Sequence, residues 1–146
     1  MRLSWQHGGT ILAVQDTTSL NYNTQTKMEG IGYICEQTLG VNIHSCLAVT
    51  TDGLVLGALA QSSYNREKPC DKTRTHESKK VRLLEEKESY RWVQTPGEST
   101  EPLPEGIRVV TVCDREGDMC ELLDEADGAG QAFLIRIARN RKTAGN

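Results

Sequence analysis

The stretch VVTVCDREGDM, residues 109–119, runs from apolar residues into the acidic cluster Asp114-Arg115-Glu116-Gly117-Asp118. A short apolar run bounded by turn residues is the pattern of a strand covered on both faces. The strand predicted here, Ile107 to Cys113, carries Asp114 at its carboxyl end. A second copy of the pattern, ILAVQDTTSL at residues 11–20, predicts a strand over Thr10 to Gln15 that ends on Asp16. How the two strands lie relative to each other therefore decides whether the two carboxylates meet.

The intervening sequence answers this. Residues 21–41 are polar and glycine-bearing and are expected to form a loop, with GIGYICEQ (30–37) as a brief extended piece. HSCLAVT (44–50) and LVLGALA (54–60) flank Thr51-Asp52-Gly53, and an Asp-Gly turn between apolar runs signals an antiparallel hairpin. From Glu77 to Gln94 the pattern is helical, with Val81, Leu84, Glu88 and Trp92 on one face. Glu88 sits near the apolar stripe, where it either pairs with a nearby arginine or is held inward for function. TPGESTEPLPEG (95–106) stops this helix and leads back to the strand at 107.

Beyond that strand, Asp118 and Glu121 have capping-box spacing, and Met119, Leu122, Leu123 and Ala126 recur at helical intervals. A helix is expected from Asp118 to the glycines at 128 and 130, with capping as the role of Asp118. A last strand, Ala132 to Ala138, precedes a polar tail. A helical connection returns the strand at 107 beside the first strand and parallel to it by a right-handed crossover. The expected fold class is α/β, a mixed sheet of a hairpin plus parallel strands flanked by helices.

Composition narrows the classes. A chain of 146 residues has room for one core, and its formal net charge of −3 at pH 7 is unlike that of a free-standing nucleic-acid binder. No segment has the apolar length of a membrane span, and the N-terminus lacks the pattern of a secretory signal, so the expected compartment is cytoplasmic. The five cysteines show no C-x-x-C spacing, and Cys46 and Cys113 lie in apolar runs where a thiol acts as a small hydrophobe. Basic residues gather between Arg66 and Arg91, and again at Arg136, Arg139, Arg141 and Lys142. Such runs are either solvated faces or phosphate contacts.

Asp16 and Asp114 at the ends of adjacent parallel strands stand about 4.8 Å apart in the pairing direction, close enough to share a divalent cation. Two uncompensated carboxylates there repel each other unless a cation lies between them. Oxygen-only ligation suits Mg²⁺ or Mn²⁺, and the chemistry such a site serves is phosphoryl transfer. The alternative is that each aspartate caps a turn.

The blocks VQDTTSLNY (14–22), the Gly-Ile-Gly segment followed by IHSCLAV (43–49), KESYRW (87–92) and VVTVCDREGDMCELL (109–123) resemble, in order and spacing, bacterial cut-and-paste DDE transposases. The resemblance is to the transposon Tn-five group of the insertion-sequence-four superfamily and covers nearly the whole chain. It implies a ribonuclease-H-like fold, with residues 11–141 as part of the catalytic core, 1–10 as an N-terminal remnant and 142–146 as a polar tail. It further implies that Asp16 and Asp114 are catalytic and bind Mg²⁺ or Mn²⁺, and that Arg136, Arg139, Arg141 and Lys142 contact the DNA backbone. Partners by the same resemblance are transposon-end and target DNA, and transposase subunits. Arg115 and Glu116 share the motif without an assigned step.

The family pattern also includes an end-binding helical domain before the core and a third catalytic acid on a later helix. Neither has a match within these residues, and Glu88, Glu121 and Glu125 do not fill the third position. The expectation is a truncated core, silent alone. A non-catalytic fragment that occupies DNA or pairs with full-length subunits is the alternative, and a decayed reading frame with poor solubility is a third. A haloacid-dehalogenase-type phosphatase would need an acid where Thr18 stands. A Ser/His/Asp hydrolase is disfavoured because His7, His44 and His76 are isolated and no G-x-S-x-G occurs.

Overall fold

Successive side chains of a strand point to opposite faces, so burial at every second residue marks the face turned to the core. The computed structural model describes residues 9–25, 27–35, 37–66, 90–93, 106–138 and 140. In it β1 (Thr10–Asn21) buries Ile11, Ala13 and Gln15, and β3 (Leu39–Thr50) buries Asn42, His44, Cys46 and Ala48. Thr111 and Cys113 of β5 (Arg108–Cys113) continue this face. The remaining strands are β2 (Gly32–Tyr33), β4 (Val55–Tyr64) and β6 (Ala132–Ile135), with one helix, α1 (Cys120–Gly128), between β5 and β6.

The six strands form one sheet in the order β2-β3-β1-β5-β6, with β4 also pairing with β3. β1 and β3 are antiparallel, as are β3 and β4, whereas β1–β5 and β5–β6 are parallel. The chain is thus α/β with a mixed sheet. The hairpin expected at Thr51-Asp52-Gly53 joins β3 to β4: the Thr50 hydroxyl donates to Asp52 Oδ1, and Gly53 adopts a φ of 92°, open to glycine at little cost. The return of the strand at 107 alongside β1, in parallel, is also as expected.

The core lies where residues 90–93, which are helical, and α1 cover the buried face. Trp92, Cys113 and Leu122 form its centre, with Val93, Met119 and Ile135 packed against them. The sheet residues beneath are mostly small (Ala13, Cys46, Ala48), which leaves room for the indole. On the opposite face Leu12, Val14, Val110 and Val112 are half-buried, so among the described residues the coverage of β1 is unequal. No helix among the described residues is long and apolar enough to cross a membrane.

Three expectations need correction. β1 does not end at Gln15 but continues to Asn21, because Thr17 and Ser19 bond across to His44 and Asn42 of β3. β6 stops at Ile135, short of Ala138. Asp118 does not cap α1: the helix begins at Cys120, and its N-cap, Met119, makes no side-chain capping bond. A 3-10 turn over Arg115–Gly117 takes up the residues in between, and Asp118 Oδ2 instead accepts from the Ala138 amide at 2.7 Å. Most of the helix expected over 77–94, with Glu88, lies outside the described residues, as do Cys70, His7, His76, Arg139, Arg141 and Lys142.

Gly117 closes that turn against the core. A Cβ placed on it would stand 2.5 Å from Cys113 Cβ and 3.5 Å from Trp92 Cε3. Gly117→Ala is expected to cost about 1–3 kcal/mol through overpacking. Urea unfolding of the variant checks this, and a change below about 0.5 kcal/mol would show that the turn simply moves aside.

Candidate functional site

The pairing register places the two candidate aspartates. The last parallel rung between β1 and β5 is Gln15 with Cys113, so Asp16 and Asp114 are the next residues along two neighbouring strands. Only Asp114 stands at a strand end. Asp16 lies in the middle of β1, paired with Ser45 on β3, and its side chain leaves the sheet on the face opposite Gln15. Both aspartates are exposed.

Asp114 has a local role as well. It is the N-cap of the 3-10 turn, and its Oδ1 accepts from the Glu116 amide at 2.8 Å. The capping alternative therefore holds for one oxygen of Asp114. It does not hold for Asp16, whose carboxylate has no hydrogen-bond or ion-pair partner among the described residues. An uncommitted carboxylate beside one with a free oxygen is a donor set that fits a hard cation retaining much of its water, as Mg²⁺ does. Among the described residues, no group of three or more His, Cys, Asp or Glu side chains converges to hold a metal.

Of the basic run after β6, Arg136 is described. Its amide donates to the Cys113 carbonyl at 3.1 Å, which sets it beside the end of β5, one residue from Asp114. The bond from Ala138 to buried Asp118 ties the following residues to the same corner. The backbone of Arg136 is thus held next to the carboxyl end of β5.

On the buried face lies a cleft of about 680 Å³, lined in part by Thr17, Ser19, Asn42, Arg66, Arg91 and Arg115. The Arg91 guanidinium stacks over the Tyr64 ring at 3.4 Å. Glu116, Asp118 and Glu121 also face this space, so its charges are mixed in sign. Asp16 and Asp114 are not part of its lining.

His44, isolated in the sequence, is fully buried here. Its Nε2 meets Gln15 Oε1 at 3.0 Å and its Nδ1 meets Thr17 Oγ1 at 2.9 Å. The Trp92 ring packs edge-on, with centroids 4.5 Å apart. Burial lowers the His44 pKa from 6.5 to about 4, the Arg91 charge adding to the effect and Asp16 opposing it. No signal short of the pairing register could have exposed this site, since Gln15 and Thr17 lie 29 and 27 positions away.

The two thiols on this face are neutral. Burial pushes Cys46 up to about 11 and Cys113 up to about 12, with the Asp114 carboxylate adding to the latter. Both act as small apolar residues, as expected from the sequence. No protein-family model matches the chain.

Proposed function

We propose that this chain is part of the ribonuclease-H-like catalytic core of a DDE transposase, in which Asp16 and Asp114 hold Mg²⁺ or Mn²⁺ for DNA strand cleavage and transfer. The observation that carries the reading is the register: the parallel ladder ends at Gln15 and Cys113, which sets Asp16 beside Asp114. The sheet order supports it, with four strands in antiparallel pairing followed by two parallel to the first.

Each residue then has a definite task. Asp16 offers a carboxylate without a hydrogen-bond or ion-pair partner among the described residues, and Asp114 offers its second oxygen while the first keeps the turn closed. The bound cation supplies Lewis acidity toward a phosphodiester and lowers the pKa of an attacking water or hydroxyl. Arg136 supplies positive charge beside the strand tips, where it holds a DNA phosphate in register without reading sequence. Arg139, Arg141 and Lys142 extend that basic run.

Mn²⁺ titration of the purified chain, followed by electron paramagnetic resonance, tests the reading. The expected result is saturable binding that weakens at least tenfold in Asp16→Asn and in Asp114→Asn, since each removes a charged ligand. Asn caps turns as well as Asp does, so Asp114→Asn keeps the local fold. Equal affinity in the parent and both variants would overturn the proposal.

A further inference from the structure

β1 changes character at Asp16. Up to Gln15 it is paired on both edges, with β3 and with β5. The ladder to β5 ends there, while the ladder to β3 continues to Asn21 and Gly40. From Asp16 onward, among the described residues, the ladders that hold the strand run along one edge only. A segment with fewer backbone bonds opens more readily than a central strand.

His44 spans this junction. Gln15 and Thr17 flank Asp16 and both point to the buried face, and both end on the same imidazole. Gln15 Oε1 can only accept, so His44 Nε2 donates to it, and Nδ1 is left to accept from the Thr17 hydroxyl. Both ring nitrogens are then committed, and neither is available to a metal or a travelling proton. The edge-on Trp92 ring fixes the plane of the imidazole.

The arrangement is kept at a cost. Gln15 Nε2 is buried without a hydrogen-bond partner among the described residues, a penalty that an apolar side chain would avoid.

We propose that His44 is a positioning residue: by latching both neighbours of Asp16 it fixes the direction in which that carboxylate leaves the sheet. This rests on the reading of Asp16 as a metal ligand, and the imidazole acts on the opposite face of the strand without touching the cation. It acts through the residues on either side of Asp16 and makes no hydrogen bond to the carboxylate itself.

Amide hydrogen exchange and Mn²⁺ titration on the full chain, for His44→Ala and for Thr17→Val, test the latch. Thr17→Val conserves shape and removes a single bond, so it decides the matter if His44→Ala does not fold. Expected is exchange about tenfold faster at residues 16–21 than in the parent, with residues 11–14 unchanged, and weaker Mn²⁺ binding than in the parent. Uniformly faster exchange over residues 11–21 would mark a merely structural role and overturn the proposal, as would unchanged exchange. Absence of Mn²⁺ binding in the parent would sink the metal reading instead, and the exchange pattern would still decide whether the latch exists.

Discussion

Trp92→Ala is expected to lower the unfolding free energy by about 3–5 kcal/mol, the range for deleting a large aromatic from a packed core. The indole is buried between Cys113 and Leu122 and meets the edge of His44. It therefore ties the helical residues 90–93 to β3, to β5 and to α1 at once. The small side chains beneath it cannot expand to fill the space, so the cavity term adds to the lost transfer energy. Against a total stability of about 5–15 kcal/mol, the variant would stand close to unfolding. Urea denaturation at neutral pH measures this, and a loss under about 1 kcal/mol would mean that residues 90–93 do not dock as described.

The second large effect is on acid stability. The folded chain holds His44 neutral down to about pH 4, whereas an unfolded histidine takes up its proton near 6.5. Between those values the unfolded state binds the proton that the folded state refuses, so stability is complete above pH 6.5 and declines as pH falls toward 4. The loss is on the order of 3 kcal/mol by linkage. Unfolding free energies of the parent and of His44→Asn at pH 7 and pH 4.5 isolate the term, because carboxylates and the other histidines contribute to both chains alike. The parent is expected to lose more than the variant over that interval. Equal losses would show that His44 is not the group responsible.

Much of the sheet is legible in the sequence because its cues are local. Thr51-Asp52-Gly53 specifies the β3–β4 hairpin through a turn that accepts few residues, and the apolar run at 107–113 has the length and flanks of a covered strand. The parallel pairing of β5 with β1 follows from chirality once a helical connection is assumed. The distal half of β1 was hidden because Thr17 and Ser19 look like loop residues until His44 and Asn42 are set opposite them. Polar side chains satisfied across strands leave no hydrophobic period to read.

The candidate site divides along the same line. The adjacency of Asp16 and Asp114 follows from two apolar runs that each end on an acid, although Asp16 proved to lie within its strand. Asp118 misled, because capping-box spacing with Glu121 is also compatible with an intervening 3-10 turn that redirects the carboxylate to Ala138. His44 was passed over because its partners are distant in sequence and uncharged, whereas spacing arguments look for charged neighbours.

One rung of the sheet carries Cys46, Gln15 and Cys113 side by side on β3, β1 and β5, with both thiols buried and protonated. Cys35 and Cys120 are exposed. The molecule thereby contains its own chemical clock. A thiol reagent that reaches Cys46 or Cys113 has entered the buried face of the sheet, beneath the helical cover that holds Trp92 and Leu122. The order in which the two become modified tells which part of that cover lifts first.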